Sequence, residues 1–316
     1  MSMPEPAAGV ALSVIIVTWN CRLHLERCLQ TLRPALAGLP SEIIVVDNAS
    51  QDGAPAWLRA EHPDVILIEA GRNAGFAAAA NRGLAAARGE YLWLLNPDAA
   101  PDPDAARRLL QALDEHPRAG AAGPRLLHPD GSFDRRAARR FPTLLSAWLE
   151  QAGLRRLSER LTRLPGRQLD AGACRPVPLL SGAAICLRRA ALEQVGGFDE
   201  VFFLYGEDLD WCRRLAAAGW QSLYCGAARV AHAGAGSSAG RRDDAGIDAV
   251  LSLAAYFRKH DGPAAGLAYR AGVIAFSALK AAGAALWTSL TRSEQARRKA
   301  ALHCRLIASL WRGRRL

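Results

Sequence analysis

Short apolar runs alternate with longer amphipathic segments over the first 120 residues. The runs are rich in Val, Ile and Leu, as in strands covered on both faces, and they occupy residues 12–18, 42–47, 64–69 and 91–95. Helical spacing of apolar residues follows Asn20, which can cap that helix, and recurs at 75–89 and 103–116. Strands that alternate with helices through short links predict βαβ units and a mostly parallel sheet.

The alternation weakens after residue 120. The arginine-rich segment 134–142 has no strong periodicity and is expected to form a surface loop or a short exposed helix. The remaining predicted elements are a strand at 177–189, a short helix ending at Gly196-Gly197, a helix at 207–220, a strand at 221–225 and a glycine- and serine-rich loop at 232–240.

The last part of the chain, from about residue 246, differs in character. Residues 264–290 are rich in Ala, Gly and bulky apolar side chains, but Arg270 and Lys280 interrupt them. A membrane-spanning helix needs about 20 apolar residues, so none is expected here. The final stretch sets apolar residues among many arginines, which is typical of a helix lying in a membrane interface. The alternative is a helical appendage that packs on the core or on another subunit.

Composition and charge refine this picture. The chain has 316 residues, of which 50% are hydrophobic, and its seven cysteines form no C-x-x-C pair. Reduced thiols are therefore favoured over disulfides or a zinc site. No signal peptide is expected at the N-terminus. Residues 1–240 carry a net charge of +1 and residues 241–316 a net charge of +9, so the basic tail favours an anionic membrane surface or nucleic acid as a partner.

Three parts of the chain follow from these patterns. Residues 1–11 are expected to be disordered, and residues 12–245 to form one α/β domain. Residues 246–316 are expected to form a basic amphipathic helical tail that associates with membranes.

Four acidic residues and one histidine lie where a ligand site is expected. Asp47 and Asp98 end two predicted parallel strands, and open α/β sheets bind ligands at that edge. Glu207 and Asp208 begin a helix, and His232 follows a strand. Each residue has a structural alternative: a turn at Asp47 or Asp98, a helix-dipole role for Glu207 and Asp208, and an ordinary surface or core histidine.

A nucleotide-activated substrate would use these groups directly. Asp47 can accept a hydrogen bond from a base or a ribose hydroxyl. Asp98 is a hard oxygen ligand for Mg²⁺ or Mn²⁺ bridging a diphosphate, with His232 as a second ligand or a phosphate contact. Asp208 then remains as the base for an acceptor hydroxyl. The segment 71–81 adds glycines for close backbone approach and polar side chains for the nucleotide: Gly71, Arg72, Asn73, Gly75 and Asn81.

Six segments together resemble the inverting family-2 glycosyltransferases, and within them the rhamnosyltransferase-like branch. The resemblance covers residues 12 to about 260 and implies a GT-A fold, in which a Rossmann-like, mostly parallel sheet is flanked by helices, and a nucleotide-sugar donor. The segments are "SVIIVTWN", "IIVVDNAS", "GRNAGFAAAANRG", "YLWLLNPD", "SGAAICLRRAALEQVGGFDEVFFLYGEDLDWCRRLAAAGW" and "AHAGAGSS".

The resemblance also implies roles for individual residues. Asp208 corresponds to the catalytic base, and Asp98 and His232 to residues that hold a divalent metal and the diphosphate. The usual D-x-D motif is Asn96-Pro97-Asp98 here, so one carboxylate is missing and the site carries less charge. The nucleotide is assigned to Thr18, Asn20, Asp47, Asn73, Gly75, Asn96 and Asp98. The sugar or the acceptor is assigned to Ser181, Gly182 and Glu207.

The expected activity is inverting sugar transfer, with L-rhamnose from dTDP-rhamnose first among the donors. UDP- and GDP-sugar donors, as in galactofuranosyl- and mannosyltransferases, are the alternatives. The expected acceptor is a saccharide or a polyprenyl-diphosphate-linked saccharide for cell-surface polysaccharide, at the inner face of the cell membrane, with the tail in peripheral contact. A nucleotidyltransferase is less favoured, because no glycine-rich phosphate loop follows the first strand. A nucleic-acid-binding protein is disfavoured by the near-neutral first 240 residues, so no nucleic-acid partner is expected.

Overall fold

The computed structural model describes residues 9–165, 169–234 and 242–312. Its contacts divide the chain into two compact units. The first comprises Met1–Phe141 and Leu164–Gly240, and the second comprises Pro142–Arg163 and Arg241–Leu316. Residues 142–163, which the sequence analysis includes in the α/β domain, therefore belong with the C-terminal helices.

The first unit contains a nine-stranded sheet and a separate two-stranded sheet. The larger sheet has the order β3-β2-β1-β4-β10-β6-β11-β5, with β8 also paired to β11, and the small sheet pairs β7 with β9. The strands are β1 (Leu12–Thr18), β2 (Ser41–Asp47), β3 (Ile66–Glu69), β4 (Tyr91–Leu95), β5 (Ala99–Pro101), β6 (Ala119–Leu127), β7 (Ala138–Arg139), β8 (Cys174–Val177), β9 (Leu179–Leu180), β10 (Ala184–Arg188) and β11 (Gln221–His232).

The predicted parallel core of the sheet is present. Strands β1 to β4, β6 and β11 run in one direction, whereas β5, β8 and β10 run in the other. Every residue of β1 and β4 is buried, because helices cover both faces of the sheet at these strands. Parallel neighbours end at the same edge of a sheet, so β1, β2 and β4 bring their carboxyl ends together.

The helices of the first unit begin and end close to the predicted positions, except for the helix at Ala54–Glu61, which was not predicted. Their buried faces carry the small and aliphatic residues that the helical spacing indicates, such as Leu25, Leu29 and Leu32 in the first helix. The helices are α1 (Arg22–Ala35), α2 (Ala54–Glu61), α3 (Phe76–Ala86), α4 (Ala105–Glu115), α7 (Arg189–Val195) and α8 (Glu207–Ala217). The second unit contributes α5 (Leu144–Gln151), α6 (Arg155–Thr162), α9 (Arg242–His260), α10 (Pro263–Thr291) and α11 (Glu294–Arg312).

The strand β6 is absent from the sequence prediction although it lies inside the sheet. Its sequence, AGAAGPRLL, contains no β-branched residue, and strand propensity is therefore low. Small residues are needed because neighbouring side chains fill the space: a Cβ built at Gly120 or Gly123 would lie 2.6 Å from a leucine methyl group. Packing against the neighbours thus overrides local preference.

Two segments between β6 and β10 differ from the prediction. Residues 134–142 contain a short 3₁₀ helix at Arg135–Ala137, whose two arginines are exposed as predicted, but it leads into the strand β7, which pairs with β9 and was not predicted. The single strand predicted at 177–189 is three strands, β8, β9 and β10, which belong to two different sheets. The predicted run contains Pro178 and Gly182, and both residues interrupt regular strand pairing.

The start of the chain also differs in detail. Ala11 is not disordered, because its N–H donates to Pro40 O at 2.8 Å and its carbonyl accepts from Tyr91 N at 2.9 Å. Residues 1–8 of the predicted disordered segment lie outside the described residues. Asn20 does not cap α1. Cys21 occupies that position, and the Asn20 Oδ1 accepts from Gln51 N at 2.7 Å instead.

The second unit is helical and has an aromatic core. Phe257 and Tyr269 pack with ring centroids 5.2 Å apart, and both side chains are fully buried. The indole of Trp148 in α5 packs against Gly272 of α10, where a Cβ would lie 2.4 Å from its Nε1 atom. This close contact explains why residues 142–163 group with the C-terminal helices.

Helix α10 corrects the expectation that no segment could span a membrane. Its 29 residues are long and apolar enough to cross a bilayer by length and composition. Its only charged residues, Arg270 and Lys280, are held within the second unit by the carbonyls of Leu310 and Gln151. Because both charged side chains donate to backbone carbonyls, they are compatible with a long apolar helix.

Candidate active site

Several of the predicted site residues lie at the carboxyl edge of β1 and β2. Thr18 and Asp47 end these strands and are paired in register. The Thr18 side chain is fully buried, and its hydroxyl lies 3.3 Å from Cys21 Sγ. Asp47 is 2% exposed and accepts from Ser50 N through Oδ2, whereas its buried Oδ1 has no hydrogen-bond partner among the described residues. An unsatisfied buried carboxylate oxygen of this kind is costly and suits a ligand N–H or hydroxyl.

Asn48 connects this edge to the glycine-containing segment after β3. Its amide donates to Asn73 Oδ1 at 3.0 Å and to Gly75 O at 3.1 Å. Gly75 has φ +90° and lies so close to Phe203 that a Cβ would be 2.4 Å from the Phe203 carbonyl. The sequence therefore needs glycine at this position. Asn48, which directly follows Asp47, thus fixes the position of the predicted nucleotide residues Asn73 and Gly75.

Asn81 has a structural contact where the sequence analysis expected a nucleotide contact. Its side chain donates to Phe198 O at 2.8 Å and accepts from Phe198 N at 2.9 Å. Both of its polar atoms thus hold the segment that leads to α8.

Asn96, Asp98 and His232 converge although 136 residues separate the first from the last. The antiparallel pairing of β5 with β11 places His232 beside Ala99. As a result, His232 Nε2 lies 3.2 Å from Asp98 Oδ1 and 3.3 Å from Asn96 Nδ2. The Asp98 side chain is 5% exposed, and the His232 side chain is 13% exposed.

These three side chains suit a divalent cation. A carboxylate oxygen, an amide oxygen and an imidazole nitrogen are acceptable ligands for Mg²⁺ or Mn²⁺. In the described parts of the chain no group of three His, Cys, Asp or Glu side chains could hold an ion. Phosphate oxygens of a bound substrate would therefore have to complete the coordination.

Asp208 lies in the first turn of α8 and is held by backbone donors. Its Oδ2 accepts from Gly182 N at 3.1 Å and its Oδ1 from Leu209 N at 2.8 Å. A Cβ at Gly182 would lie only 3.3 Å from Asp208 Cβ, so the absence of a side chain lets the two segments approach. Ser181, which precedes Gly182 in the chain, donates its N–H to Ala137 O at 3.0 Å.

Glu207, the residue before Asp208, has a raised pKa. Its side chain is buried, and its Oε2 has no hydrogen-bond partner among the described residues. Burial, together with the negative charge of Asp208, raises the pKa of Glu207 to about 8. The neutral form of Glu207 is therefore favoured at pH 7.

One cavity of about 230 Å³ unites the metal-binding candidates with Asp208. It also contains residues that the sequence analysis did not assign to the site, including two arginines from the 134–142 segment. The clustering of arginines in this segment is the sequence feature that could have indicated them. The lining residues are Phe76, Asn96, Asp98, Asp134, Arg136, Arg139, Ser181, Gly182, Ala183, Leu204, Tyr205, Glu207, Asp208, His232 and Gly234. The nucleoside candidates Thr18, Asn20, Asp47, Asn73 and Gly75 do not line this cavity.

Comparison with known proteins identifies the family. Residues 13–196 match the family model described as glycosyl transferase family 2. The chain belongs to this family. The resemblance predicted from the six segments is thus confirmed, and the chain is a glycosyltransferase.

Two relatives show which glycosyltransferases this chain resembles. It is 37% identical over 262 residues to the N-acetylglucosaminyl-diphospho-decaprenol L-rhamnosyltransferase of Mycobacterium tuberculosis (strain ATCC 25618 / H37Rv), covering 78% of this chain and 81% of that protein. It is 27% identical to the low-salt glycan biosynthesis hexosyltransferase Agl10 of Haloferax volcanii, covering 64% of this chain and 61% of that protein. The predicted similarity to rhamnosyltransferases is therefore confirmed.

Solved structures confirm the fold of the glycosyltransferase. The mannosyltransferase PcManGT from Pyrobaculum calidifontis, in complex with GDP-Man and Mn²⁺, superposes with a TM-score of 0.55 at 21% identity, covering 98% of this chain and 88% of that chain. GalNAc-T7 with UDP, GalNAc and Mn²⁺ gives a TM-score of 0.52 at 17% identity, covering 71% and 44%. The predicted GT-A fold with a C-terminal helical extension is present.

Proposed function

We propose that this glycosyltransferase moves L-rhamnose from dTDP-rhamnose to a sugar carried on a lipid diphosphate, with inversion at the anomeric carbon. The observation that carries the proposal is the cavity in which Asp208 faces the same space as Asn96, Asp98 and His232. The rhamnosyltransferase relative acts, by its name, on an N-acetylglucosaminyl-diphospho-decaprenol acceptor, and this supports the choice of donor and acceptor.

The two sides of the cavity have different roles in the proposed reaction. Asp208, fixed by the N–H groups of Gly182 and Leu209, takes the proton of an acceptor hydroxyl. The oxygen forms a bond to the anomeric carbon while the bond to the diphosphate breaks, and the electron pair leaves with the nucleoside diphosphate. Attack from the face opposite the leaving group inverts the configuration. Glu207, neutral beside Asp208, adds no second charge that would repel a phosphorylated substrate.

Asp98, His232 and Asn96 would hold a divalent ion in this proposal. A bound Mg²⁺ or Mn²⁺ supplies charge neutralisation for the departing diphosphate. The side chains present offer a single full negative charge, from Asp98, which is lower than the two that a D-x-D motif supplies. The donor nucleoside is assigned to the edge of β1 and β2, where the Asp47 Oδ1 is without a partner among the described residues.

A donor competition assay tests the proposal. The purified full chain is given dTDP-rhamnose, UDP-galactofuranose or GDP-mannose with an N-acetylglucosaminyl diphosphate prenyl acceptor, in Mn²⁺ or in EDTA. We expect dTDP-rhamnose to have the highest kcat/KM, EDTA to reduce turnover, and the product to show the opposite anomeric configuration to the donor. A higher kcat/KM for either other donor, or retention of configuration, would overturn the proposal.

The second unit supports membrane contact at a lipid-linked acceptor. Of the thirteen large hydrophobic side chains that are exposed in the described residues, ten belong to this unit. Five of them lie along α10: Leu267, Leu279, Leu286, Trp287 and Leu290. Others lie on α6, where Leu157 and Leu161 alternate with arginines. Exposed apolar residues mixed with basic ones are typical of helices in a membrane interface.

A further inference from the structure

The segment from Asp134 to Arg139 joins the two sides of the cavity. On one side, Arg136 Nη2 lies 3.5 Å from the position of a Cβ built on Gly234, two residues beyond His232. On the other side, Ala137 O accepts from Ser181 N at 3.0 Å, next to the Gly182 that binds Asp208. The segment is therefore fixed between the candidate metal ligands and the candidate base.

Arg136 is oriented by a buried carboxylate. Asp134 is 3% exposed and accepts from the Arg136 backbone N–H at 2.9 Å, from Nε at 3.0 Å and from Nη2 at 2.8 Å. Although burial raises the pKa of Asp134, the hydrogen bonds from Arg136 outweigh this, and the pKa lies below its ordinary value. The ion pair thus holds the guanidinium at the cavity while the Arg136 side chain stays 53% exposed.

Arg139 is the less satisfied of the two cations. It lies in β7, where pairing with Leu179 of β9 fixes its backbone. Its Nε atom is buried and has no hydrogen-bond partner among the described residues, and the side chain lines the cavity. A buried guanidinium donor without an acceptor is unfavourable, and an anionic ligand in the cavity would supply the acceptor.

We propose that Arg136 and Arg139 form an anion subsite that binds a phosphate group of a substrate beside Asp208. Arginine presents planar paired donors that match phosphate oxygens. A site with the single carboxylate of Asn96-Pro97-Asp98 holds a cation less tightly, so the substrate phosphate needs other positive groups. Arg139 supplies a positive charge to the cavity, whereas the charge of Arg136 is balanced by Asp134 and this residue contributes N–H donors. The proposal rests on the proposed function only for the identity of the phosphate, which belongs either to the donor diphosphate or to the acceptor diphosphate.

Binding of inorganic pyrophosphate tests the subsite without any turnover. Titration calorimetry in Mg²⁺ compares the full chain with Arg136→Gln, Arg139→Gln and Arg139→Lys. The control is Arg140→Gln, which removes the same charge from an exposed neighbour that does not line the cavity. We expect about tenfold weaker binding for each Gln variant in the subsite, an intermediate loss for Arg139→Lys, and no change for the control. Unchanged melting temperatures establish that the variants fold.

Two further arms identify the phosphate. The first is the affinity for dTDP, which should fall about tenfold in Arg139→Gln when the donor diphosphate is bound there. The second compares KM for N-acetylglucosamine on a short prenyl diphosphate with KM for the same sugar on an uncharged octyl group. When the subsite holds the acceptor phosphate, Arg139→Gln raises only the first KM, and the preference for the diphosphate acceptor disappears.

Different experimental results would overturn the anion subsite and the proposed function. If neither subsite variant differs from Arg140→Gln for pyrophosphate, dTDP and the diphosphate acceptor, the anion subsite is overturned even if rhamnose transfer is observed. If the wild-type chain transfers no sugar but pyrophosphate binding depends on Arg136 and Arg139, the subsite stands and the proposed function is overturned.

Discussion

At the scale of residues, the neighbouring carboxyl groups of Glu207 and Asp208 have different surroundings in the candidate site. Glu207 is buried without a partner for Oε2 among the described residues, whereas Asp208 accepts two backbone N–H bonds. Burial without a hydrogen-bond partner favours the neutral form of Glu207. The two backbone N–H groups fix the Asp208 side chain in place for proton transfer.

Replacing the proposed base tests its role. Asp208→Asn keeps the side-chain volume and one acceptor for Gly182 N, but it removes the proton acceptor. We expect kcat for sugar transfer to fall at least about 100-fold while the melting temperature and the affinity for dTDP stay near the wild-type values. A variant with wild-type kcat would contradict the assignment of Asp208.

The pKa of Glu207 predicts how stability depends on pH. Its pKa rises from the ordinary value of 4.5 to about 8 on folding, so between these values the folded chain holds a proton that the unfolded chain has released. Stability contributed by this group is complete below pH 4.5 and is lost as the pH rises towards 8. We expect the unfolding free energy of the wild type, relative to Glu207→Gln, to fall by at least about 1 kcal/mol between pH 5 and 8, as measured by urea denaturation. Parallel pH profiles for the two proteins would rule this out.

Restoring the missing carboxylate tests the metal site. Asn96→Asp places a second negative charge beside Asp98 and His232. The Asn96 Nδ2 atom lies 3.3 Å from His232 Nε2. We expect about tenfold tighter binding of Mn²⁺, seen as a lower Mn²⁺ concentration for half-maximal activity. The affinity for Mn²⁺ should fall in Asp98→Asn, and a metal dependence that neither variant changes would argue against an ion at this position.

At the scale of elements, the loop before α3 depends on one close backbone contact. Phe76 N donates to Phe203 O at 2.7 Å, and the adjacent Gly75 leaves no space for a side chain. This contact joins the β3–α3 connection to the segment before α8. The cavity is lined by Phe76, the first residue of α3, and by Leu204 and Tyr205 of the segment before α8.

Matched glycine variants separate crowding from backbone strain. Gly75 and Gly71 both have positive φ, at +90° and +72°, but a Cβ on Gly71 meets no atom within 4 Å. Gly71→Ala should therefore cost about 1 kcal/mol from strain alone. Gly75→Ala should cost at least about 2 kcal/mol more, because it also displaces Phe203. Denaturant unfolding of both variants measures the difference, and equal losses would show that the contact is not tight.

At the scale of the whole molecule, the two units have different surfaces. The described residues of the first unit expose few large hydrophobic side chains, whereas those of the second expose ten. The basic charge of the tail is in the same unit. Apolar area and positive charge together favour binding to anionic lipid.

Vesicle binding tests the proposed membrane contact. The double variant Leu286→Ser/Leu290→Ser removes two exposed apolar side chains from α10 that are 64% and 72% exposed. We expect about tenfold weaker binding to vesicles containing anionic phospholipid, measured by co-sedimentation, because each buried leucine contributes about 1 kcal/mol or more. Leu23→Ser, which changes a 73% exposed leucine of the first unit, should bind as the wild type does. Equal binding of all three proteins would refute the contact through α10.

The sequence alone determines the parallel core and the strand-end acids, because β-branched runs, helical spacing and capping residues are local signals. Strands β1, β2 and β4 and helices α3, α4 and α8 follow from these signals. The family follows from the resemblance of the six segments to family-2 glycosyltransferases, which also implies the roles of Asp98, Asp208 and His232. Tertiary structure alone decides β6, whose alanines and glycines fit neighbouring side chains. It also decides the grouping of α5 and α6 with the C-terminal helices, which depends on Trp148 meeting Gly272. Arg136 and Arg139 reach the cavity only because β7 pairs with β9. Contacts between residues far apart in the chain leave no periodic pattern, so neither helical nor strand spacing could have indicated them.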